Sequence, residues 1–485
     1  MKTTTSAARH TIRDKAGVRW GVLLMISFTM LFAYMFVDVL SPLKTQLDHH
    51  LGWSSTVFGT YAGSEFFINV FCLFLIFAGI ILDKMGVRFT AILSGSLMVL
   101  GAGLKVYALS PAFNAGAFPF LWLSSFAPDF PASAKLACVG FAIFGMGTEM
   151  AGVTVSRAIV KWFHGKEMAM AMGVEMAIAR LGVFAVFQTS PRIYKWMEGR
   201  FGMDMSGTEA IQALQAPVLF VFILLCIGLF LYLVYGVLDK KLDAQEAAIA
   251  SESLEEEAEE EPFRFADLGK VFGLKSFWLV ALLCVLYYSA IFPFQRFATS
   301  MLESNLGLST ETASSIFSLF PVGAMVITPI LGLYLDRKGK GATMLMIGSI
   351  LMILCHSTFA LYPFTQSAFS YTVAIAAIVL LGISFSLVPA ALWPSVPKLI
   401  DSKVLGSAYS AIFFIQNIGL MTVPMLIGKV LDVTNPGVPA HDPHNYTPSM
   451  LIFASFGVFA LMLSLYLKIY DKKQNLGLEL PNIKK

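Results

Sequence analysis

Two short strings decide the fold: Gly79-x-x-x-Asp83-Lys84-x-Gly86-x-Arg88 and Gly332-x-x-x-Asp336-Arg337-x-Gly339. The glycines, the aspartate and the basic residue keep the same spacing in both, and the copies lie 253 residues apart. Each string joins two apolar runs. One such string has little weight; two at matching places in one chain point to an internal duplication. The second copy departs at its end, where Gly341 stands in place of the final arginine and Lys340 sits beside it.

Working outward, apolar runs long enough to span a bilayer need about 20 residues each. They fall near 20–40, 54–82, 90–110, 135–161, 168–190 and 216–238. After a polar gap they resume near 276–300, 312–335, 342–363, 370–393, 405–430 and 449–469. The expected fold is therefore all-α and membrane-integral, with twelve transmembrane helices in two pseudo-symmetric six-helix bundles. The domains are 1–238, a cytoplasmic acidic linker over 239–275 rich in glutamate between Glu252 and Glu261, and 276–485. The first run is too long for a signal peptide, and no small-residue cleavage site follows it.

Composition agrees. Of 485 residues, 57% are apolar and 13% charged, against about 25% charged in soluble domains, and mean hydropathy is +0.72. That excludes a soluble enzyme, a nucleic-acid binder with a basic face and a disordered hub. A net charge of +3 says nothing about an acidic partner. Cysteines 72, 138, 226, 284 and 355 lie inside apolar runs without metal-binding spacing, and read as small core residues. His49-His50 and His441-x-x-His444 fall in loops with no further ligands nearby in sequence, so no metal is expected. No phosphate loop, haem signature or dinucleotide glycine pattern is present, and no cofactor or enzymatic activity is expected.

Basic residues orient the chain. With a cytoplasmic N-terminus, the tails, the linker and the even-to-odd loops hold 24 Lys and Arg. The opposite side holds five: Lys44, Arg192, Lys195, Arg200 and Lys429. The positive-inside rule then puts both termini and the linker in the cytoplasm. The paired loops and the six-plus-six arrangement resemble the major facilitator superfamily over the whole chain. The resemblance implies that Asp83, Lys84 and Arg88, with Asp336 and Arg337, form a gate. Its aspartates would meet the positive N-terminal end of a helix in the other half and close the cytoplasmic side. The alternative is an ordinary basic, topology-setting loop. The loss of the last basic residue makes the second loop the weaker half of that gate.

Ionisable residues inside spans are costly and usually face a site or a partner. Here they are Asp38, Glu65, Glu149, Arg157, Glu175, Arg180 and Arg296. At ~1.5 Å per residue, Glu149 lies about 21 Å and Arg180 about 18 Å from the cytoplasmic ends of consecutive helices. Arg157 and Glu175 lie roughly 9–10 Å deep. The shallow pair reads as an ion pair or a gate, and Asp38 is grouped with the gating residues. The deep pair is either a buried salt bridge or a site offering one anion and one cation, which matches a zwitterion. An arginine fork suits a carboxylate. Tyr287, Tyr288, Trp393, Gln416 and Asn417 complete the expected substrate site. Asp38, Glu65 and Glu149 are candidate proton carriers.

A narrower resemblance rests on several strings. They are Asp38-x-x-x-Pro42-Leu43-x-Thr45-Gln46, Gly145-x-Gly147-x-Glu149, Val160-x-Trp162-Phe163-x-Gly165-Lys166-Glu167 and Ala179-Arg180-x-Gly182. Later come Tyr287-Tyr288-x-Ala290-x-Phe292-Pro293-Phe294, Ala391-Leu392-Trp393-Pro394, Gly406-x-Ala408-Tyr409 and Ile415-Gln416-Asn417-x-Gly419-Leu420. These resemble the family of major facilitator superfamily domain-containing protein 1, the lysosomal dipeptide transporters. The resemblance implies dipeptide transport, with Glu149 at the peptide's amino end and Arg180 at its carboxyl end. The N-terminal tail lacks an acidic dileucine sorting string, so a bacterial relative in a plasma or inner membrane is expected, working as a monomer. The expected partners are a small-molecule substrate, the bilayer and, for coupling, protons. An organic or inorganic anion porter, with Arg180 beside Arg296 or Arg157, is the rival reading.

Overall fold

In hydrocarbon a chain satisfies its backbone polar groups internally, which for these runs means helix. The computed structural model describes residues 11–202, 205–250, 265–400 and 404–481. Among them every regular element is helical. The glutamate run of the linker lies outside the described residues.

Twelve crossings are numbered here as spans. Span 1 is Ala16–Asp38. Span 2 is broken into Ser55–Ser64, Phe67–Phe71 and the first arm of Phe74–Ala108. Span 3 is the second arm, after the chain breaks helical geometry at Gly86 (φ 78°, ψ 168°). Span 4 is Ala132–Trp162, span 5 Met168–Phe201 and span 6 Thr208–Ala250. Span 7 is Lys275–Leu306, span 8 Thr310–Phe317 with Leu319–Lys338, and span 9 Gly341–Leu361. Span 10 is Ala368–Leu399, span 11 Leu405–Thr434 and span 12 Thr447–Gln474. Eleven helices among the described residues are individually long and apolar enough to cross a membrane. The twelfth crossing escapes that criterion because it is span 2.

The break in span 2 departs from the unbroken run expected at 54–82. Regular helix stops at Glu65, whose carboxylate reaches across to Arg296. Span 4 presses on the same point. A Cβ on Gly145 would lie 1.9 Å from the Glu65 carbonyl oxygen, so only glycine admits this approach.

Within the first half, span 4 packs on span 3, and span 1 on spans 5 and 6. Within the second, span 9 packs on spans 10 and 12, and span 7 on spans 11 and 12. The halves meet where span 2 lies on span 11, span 5 on span 8, and span 7 beside the turn after span 1. Large side chains such as Phe230 (62%) and Leu333 (59%) stay exposed; lipid is the solvent for such a surface. Cys72 and Cys226 belong to that outer surface rather than to a core; Cys284 and Cys355 are buried. The loops at 83–88 and 336–341 and both ends of the described chain share one end of the bundle, here the basic end. The opposite end is the far end.

Candidate functional site

Arg180 and Glu149 occupy mid-helix positions on neighbouring spans 5 and 4. No ion pair joins them. The Arg180 Nη1 atom is buried without a hydrogen-bond partner, and its guanidinium carbon lies 4.8 Å from the centre of the Phe385 ring. Phe385, on span 10, packs against Phe292 (5.5 Å), Phe320 (5.6 Å) and Tyr288 (6.3 Å). Trp393 donates its Nε1–H to the Tyr288 hydroxyl at 3.3 Å. The phenols of Tyr288 and Tyr34 lie within electrostatic reach of Arg180, and the side chain of Asn417, from span 11, neighbours the Glu149 carboxyl. Arg180 and Tyr288 thus share Phe385 as a neighbour and Trp393 joins through Tyr288, while Asn417 lies beside Glu149. A cation held on an aromatic face with one N–H pair unfilled is suited to a carboxylate.

Two expected members lie elsewhere. Tyr287 is fully buried. Its hydroxyl is taken up by the Leu345 carbonyl at 2.5 Å and Ser349 at 2.6 Å, with Ser464 at 3.3 Å, so it ties span 7 to spans 9 and 12. Gln416 accepts from the Cys284 thiol at 3.1 Å and is likewise engaged within its own half.

Arg157 and Glu175 do not pair either. Arg157 instead meets Asp83 at 3.1 Å, both 44% exposed. Depth along a helix matched the two residues, but it did not give the side of the helix on which each lies. Arg88 meets Asp243 at 3.3 Å, and Lys161 holds Asp239 (2.9 Å) and Asp243 (2.5 Å) on the continuation of span 6. Lys84 and Arg337 are exposed, and Asp336 is half-buried at the end of span 8. Before span 1, Asp14 accepts from the Thr11 backbone and lies 3.2 Å from Lys166, which together hold its carboxyl below its usual range.

The second loop, where the basic residue is missing, lies against residues 478 and 479. The backbone N–H groups of Lys340 and Gly341 donate to the carbonyls of Glu479 and Leu478, each at 3.0 Å. The Glu479 carboxylate accepts from Thr343 N and Oγ1, both at 2.8 Å, capping span 9. A Cβ on Gly341 would sit 2.9 Å from the Leu478 carbonyl oxygen.

The far end carries the contacts between halves. Asp432, closing span 11, accepts from Ser54 Oγ (2.8 Å) and the backbone N–H groups of Ser55 (2.9 Å) and Thr56 (2.8 Å). It caps the N-terminus of span 2 across the seam. Thr45 donates to Glu303 (2.6 Å), Gln46 to Thr310 (2.8 Å) and Gln188 to Ser318 (2.7 Å), and Lys195 pairs with Glu311 (3.1 Å).

Deeper in the same seam lies a cluster that the sequence supplied only as separate charges. Arg296 Nη1 meets Asp38 Oδ1 at 3.1 Å and Nη2 meets Glu65 Oε2 at 2.7 Å, with all three side chains at most 8% exposed. Gln295 donates to the other Asp38 oxygen at 2.5 Å. Lys105, wholly buried, points its ammonium at Phe141 (3.8 Å) and Phe36 (4.0 Å) without a hydrogen-bond acceptor. Asp38 is therefore a cross-half contact of the far seam. The signal that could have joined it to Glu65 and Arg296 was that each stands alone in an apolar run; their partnership needed the fold.

A family model described as the Major Facilitator Superfamily matches residues 26–424. The lysosomal dipeptide transporter MFSD1 of Homo sapiens is 27% identical over 420 residues, 85% of this chain and 79% of its own. That of Danio rerio is 28% identical over 421 residues, 85% and 80%. Among solved structures, a D-xylose-proton symporter superposes with a TM-score of 0.65 at 15% identity, over 92% of this chain and 97% of its own. A bacterial homologue of the human lysosomal transporter Spinster gives 0.65 at 13%, over 92% and 96%.

Proposed function

The chain belongs to the Major Facilitator Superfamily, and from that premise we propose that it moves small zwitterionic solutes, dipeptides above all, across a membrane by alternating access. The observation that carries the reading is Arg180: a buried guanidinium on an aromatic platform with Nη1 unfilled, on the helix next to the one that bears Glu149. A structural salt bridge would have consumed both groups. Arg180 takes the carboxylate of the peptide, and Glu149 with Asn417 takes its ammonium. Tyr288 and Trp393 line the carboxylate end. The name borne by the MFSD1 relatives supports dipeptides as the substrate class.

In this reading residues 1–238 and 276–485 rock as two bodies joined by 239–275. Asp38 and Arg296 latch the far side. Asp83, Lys84, Arg88, Asp336, Arg337, Arg157 and Glu175 serve the basic side when it closes. Both termini lie in the cytoplasm, in a plasma or bacterial inner membrane, as the basic residues suggest.

The test is end-group chemistry. Purified protein is titrated with a dipeptide, its N-acetyl form and its C-amide, and binding is read as thermal stabilisation. Hydrogen bonds to charged groups contribute roughly 1.5–3 kcal/mol, so each blocked end should weaken binding about ten- to a hundred-fold. In Glu149→Gln the acetyl penalty should disappear and the amide penalty remain; in Arg180→Gln the reverse. Stabilisation by simple anions with indifference to the amino end would instead establish the anion porter.

A further inference from the structure

The histidine pairs that stood apart in sequence come together at the far end. His49 and His50 lie on the helix Lys44–Leu51, which follows span 1 and belongs to the first half. His441 lies between spans 11 and 12, in the second half. The His49 and His441 rings are 4.3 Å apart between centroids, and His50 lies 4.6 Å from His49 on its own side. Three imidazoles form a file that crosses the seam. We infer that the His49–His441 contact is a proton-sensitive latch between the two halves: opening the far end lets His441 take up a proton, so that acid on that side drives it open.

The surroundings support the direction. From its own helix the file faces Lys44 and Asp48, which pair at 3.9 Å. From span 5 it meets Tyr194, whose hydroxyl lies 3.1 Å from His50 Nε2 and which has Glu198 as a neighbouring charge. From the second half Asp442 acts on His441, and Asp432 and His444 lie within electrostatic reach of Asp48 beside the file. Asp432 is committed to the cap of span 2, and His444 turns its Nδ1 to the Asp442 carbonyl at 2.8 Å. Burial, then the adjacent His49, lower the proton affinity of His441 against the pull of Asp442 and Asp48. Two imidazolium rings in contact repel. Among the described residues no group of three or more His, Cys, Asp or Glu side chains is arranged to hold a metal ion.

The sign follows from linkage. A group whose proton affinity is depressed in the closed form stabilises that form above the ordinary imidazole range. The contribution is lost as pH falls through that range. The far end should be closed at pH 8 and progressively open toward pH 5. An affinity difference of one pH unit between the forms changes their ratio about tenfold per proton.

The test needs no substrate, so it stands or fails apart from the Glu149–Arg180 reading. Spin labels at Ser206→Cys and Ala368→Cys, one exposed far-end position in each half, report the separation by dipolar spectroscopy. Exposed Cys72 and Cys226 are replaced by serine, and a chelator is present. The expected result is a long-distance population that grows about tenfold or more from pH 8 to pH 5. It should be flat in His441→Phe, which keeps a ring in the stack but cannot take up the proton, and reduced in His49→Phe, which removes the facing imidazole and leaves burial acting on His441. Repeating both variants as glutamine guards against a phenylalanine that jams the seam. A flat wild-type profile, or a wild-type profile kept by the His49→Phe/His441→Phe double variant, overturns the inference.

Discussion

Replacing Asp432 by asparagine should open the far end without unfolding either half. In the closed form its two oxygens receive three hydrogen bonds, from Ser54 Oγ and the backbone N–H groups of Ser55 and Thr56. The latter are orphan donors of the first turn of a helix, where negative charge is favoured. Asparagine keeps one acceptor oxygen and loses the charge. A helix cap is worth ~1 kcal/mol, up to about 2, and charge at a helix N-terminus adds 0.3–1, so the loss is about 2 kcal/mol. Asp432 and span 2 belong to different halves, so the contact exists only while the far end is closed and the loss falls on that form alone. At 1.4 kcal/mol per factor of ten, the open fraction should rise roughly thirtyfold. Ser314 gives the readout: it is fully buried in the seam and donates to the Phe187 carbonyl at 2.5 Å. In Ser314→Cys, an impermeant thiol reagent applied from the far side should react about thirty times faster when Asp432→Asn is added. Rates within twofold of each other would refute the reasoning.

Two further outcomes follow from the charge arrangement. Arg296→Met should leave Asp38 and Glu65 buried without their shared cation, costing about 3–5 kcal/mol; the thermal midpoint should fall and recover in part when Asp38→Asn and Glu65→Gln are added, and no recovery would show that the cluster does not act as a unit. Arg157→Ala and Glu175→Ala should be additive in a double-mutant cycle, whereas Arg157→Ala with Asp83→Asn should show coupling of at most about 1 kcal/mol, since that pair is exposed; coupling to Glu175 and none to Asp83 would contradict the geometry.

The sequence carried the architecture because duplication and hydropathy are one-dimensional signals. The Asp83 and Asp336 strings fixed two halves, and apolar runs placed twelve crossings close to where they lie. Span 2 was read as continuous because one glutamate in an apolar run does not by itself end a helix; the contacts made at the break, with Arg296 and Gly145, come from far away in sequence. Helical rise gave the depth of Glu149 and Arg180. It could not give azimuth, so Tyr287 was grouped with Tyr288 although its hydroxyl bonds to spans 9 and 12, and Arg157 was matched with Glu175 although it meets Asp83. The seam was illegible for a related reason: Asp432, Arg296 and His441 acquire meaning only from partners in the other half.

The turn at 478–479 that lies along Lys340 and Gly341 bears on how repeated proteins are compared. Scored as a motif, the second loop looks eroded, a duplicate drifting from its template. Read in three dimensions it is a contact site: residues 478 and 479 accept from the backbone of Lys340 and Gly341, and a Cβ at 341 would crowd the Leu478 carbonyl. Motif completeness is thus a poor measure of decay in a fused pair, because a departure in one copy can accompany a contact with a segment far away in sequence.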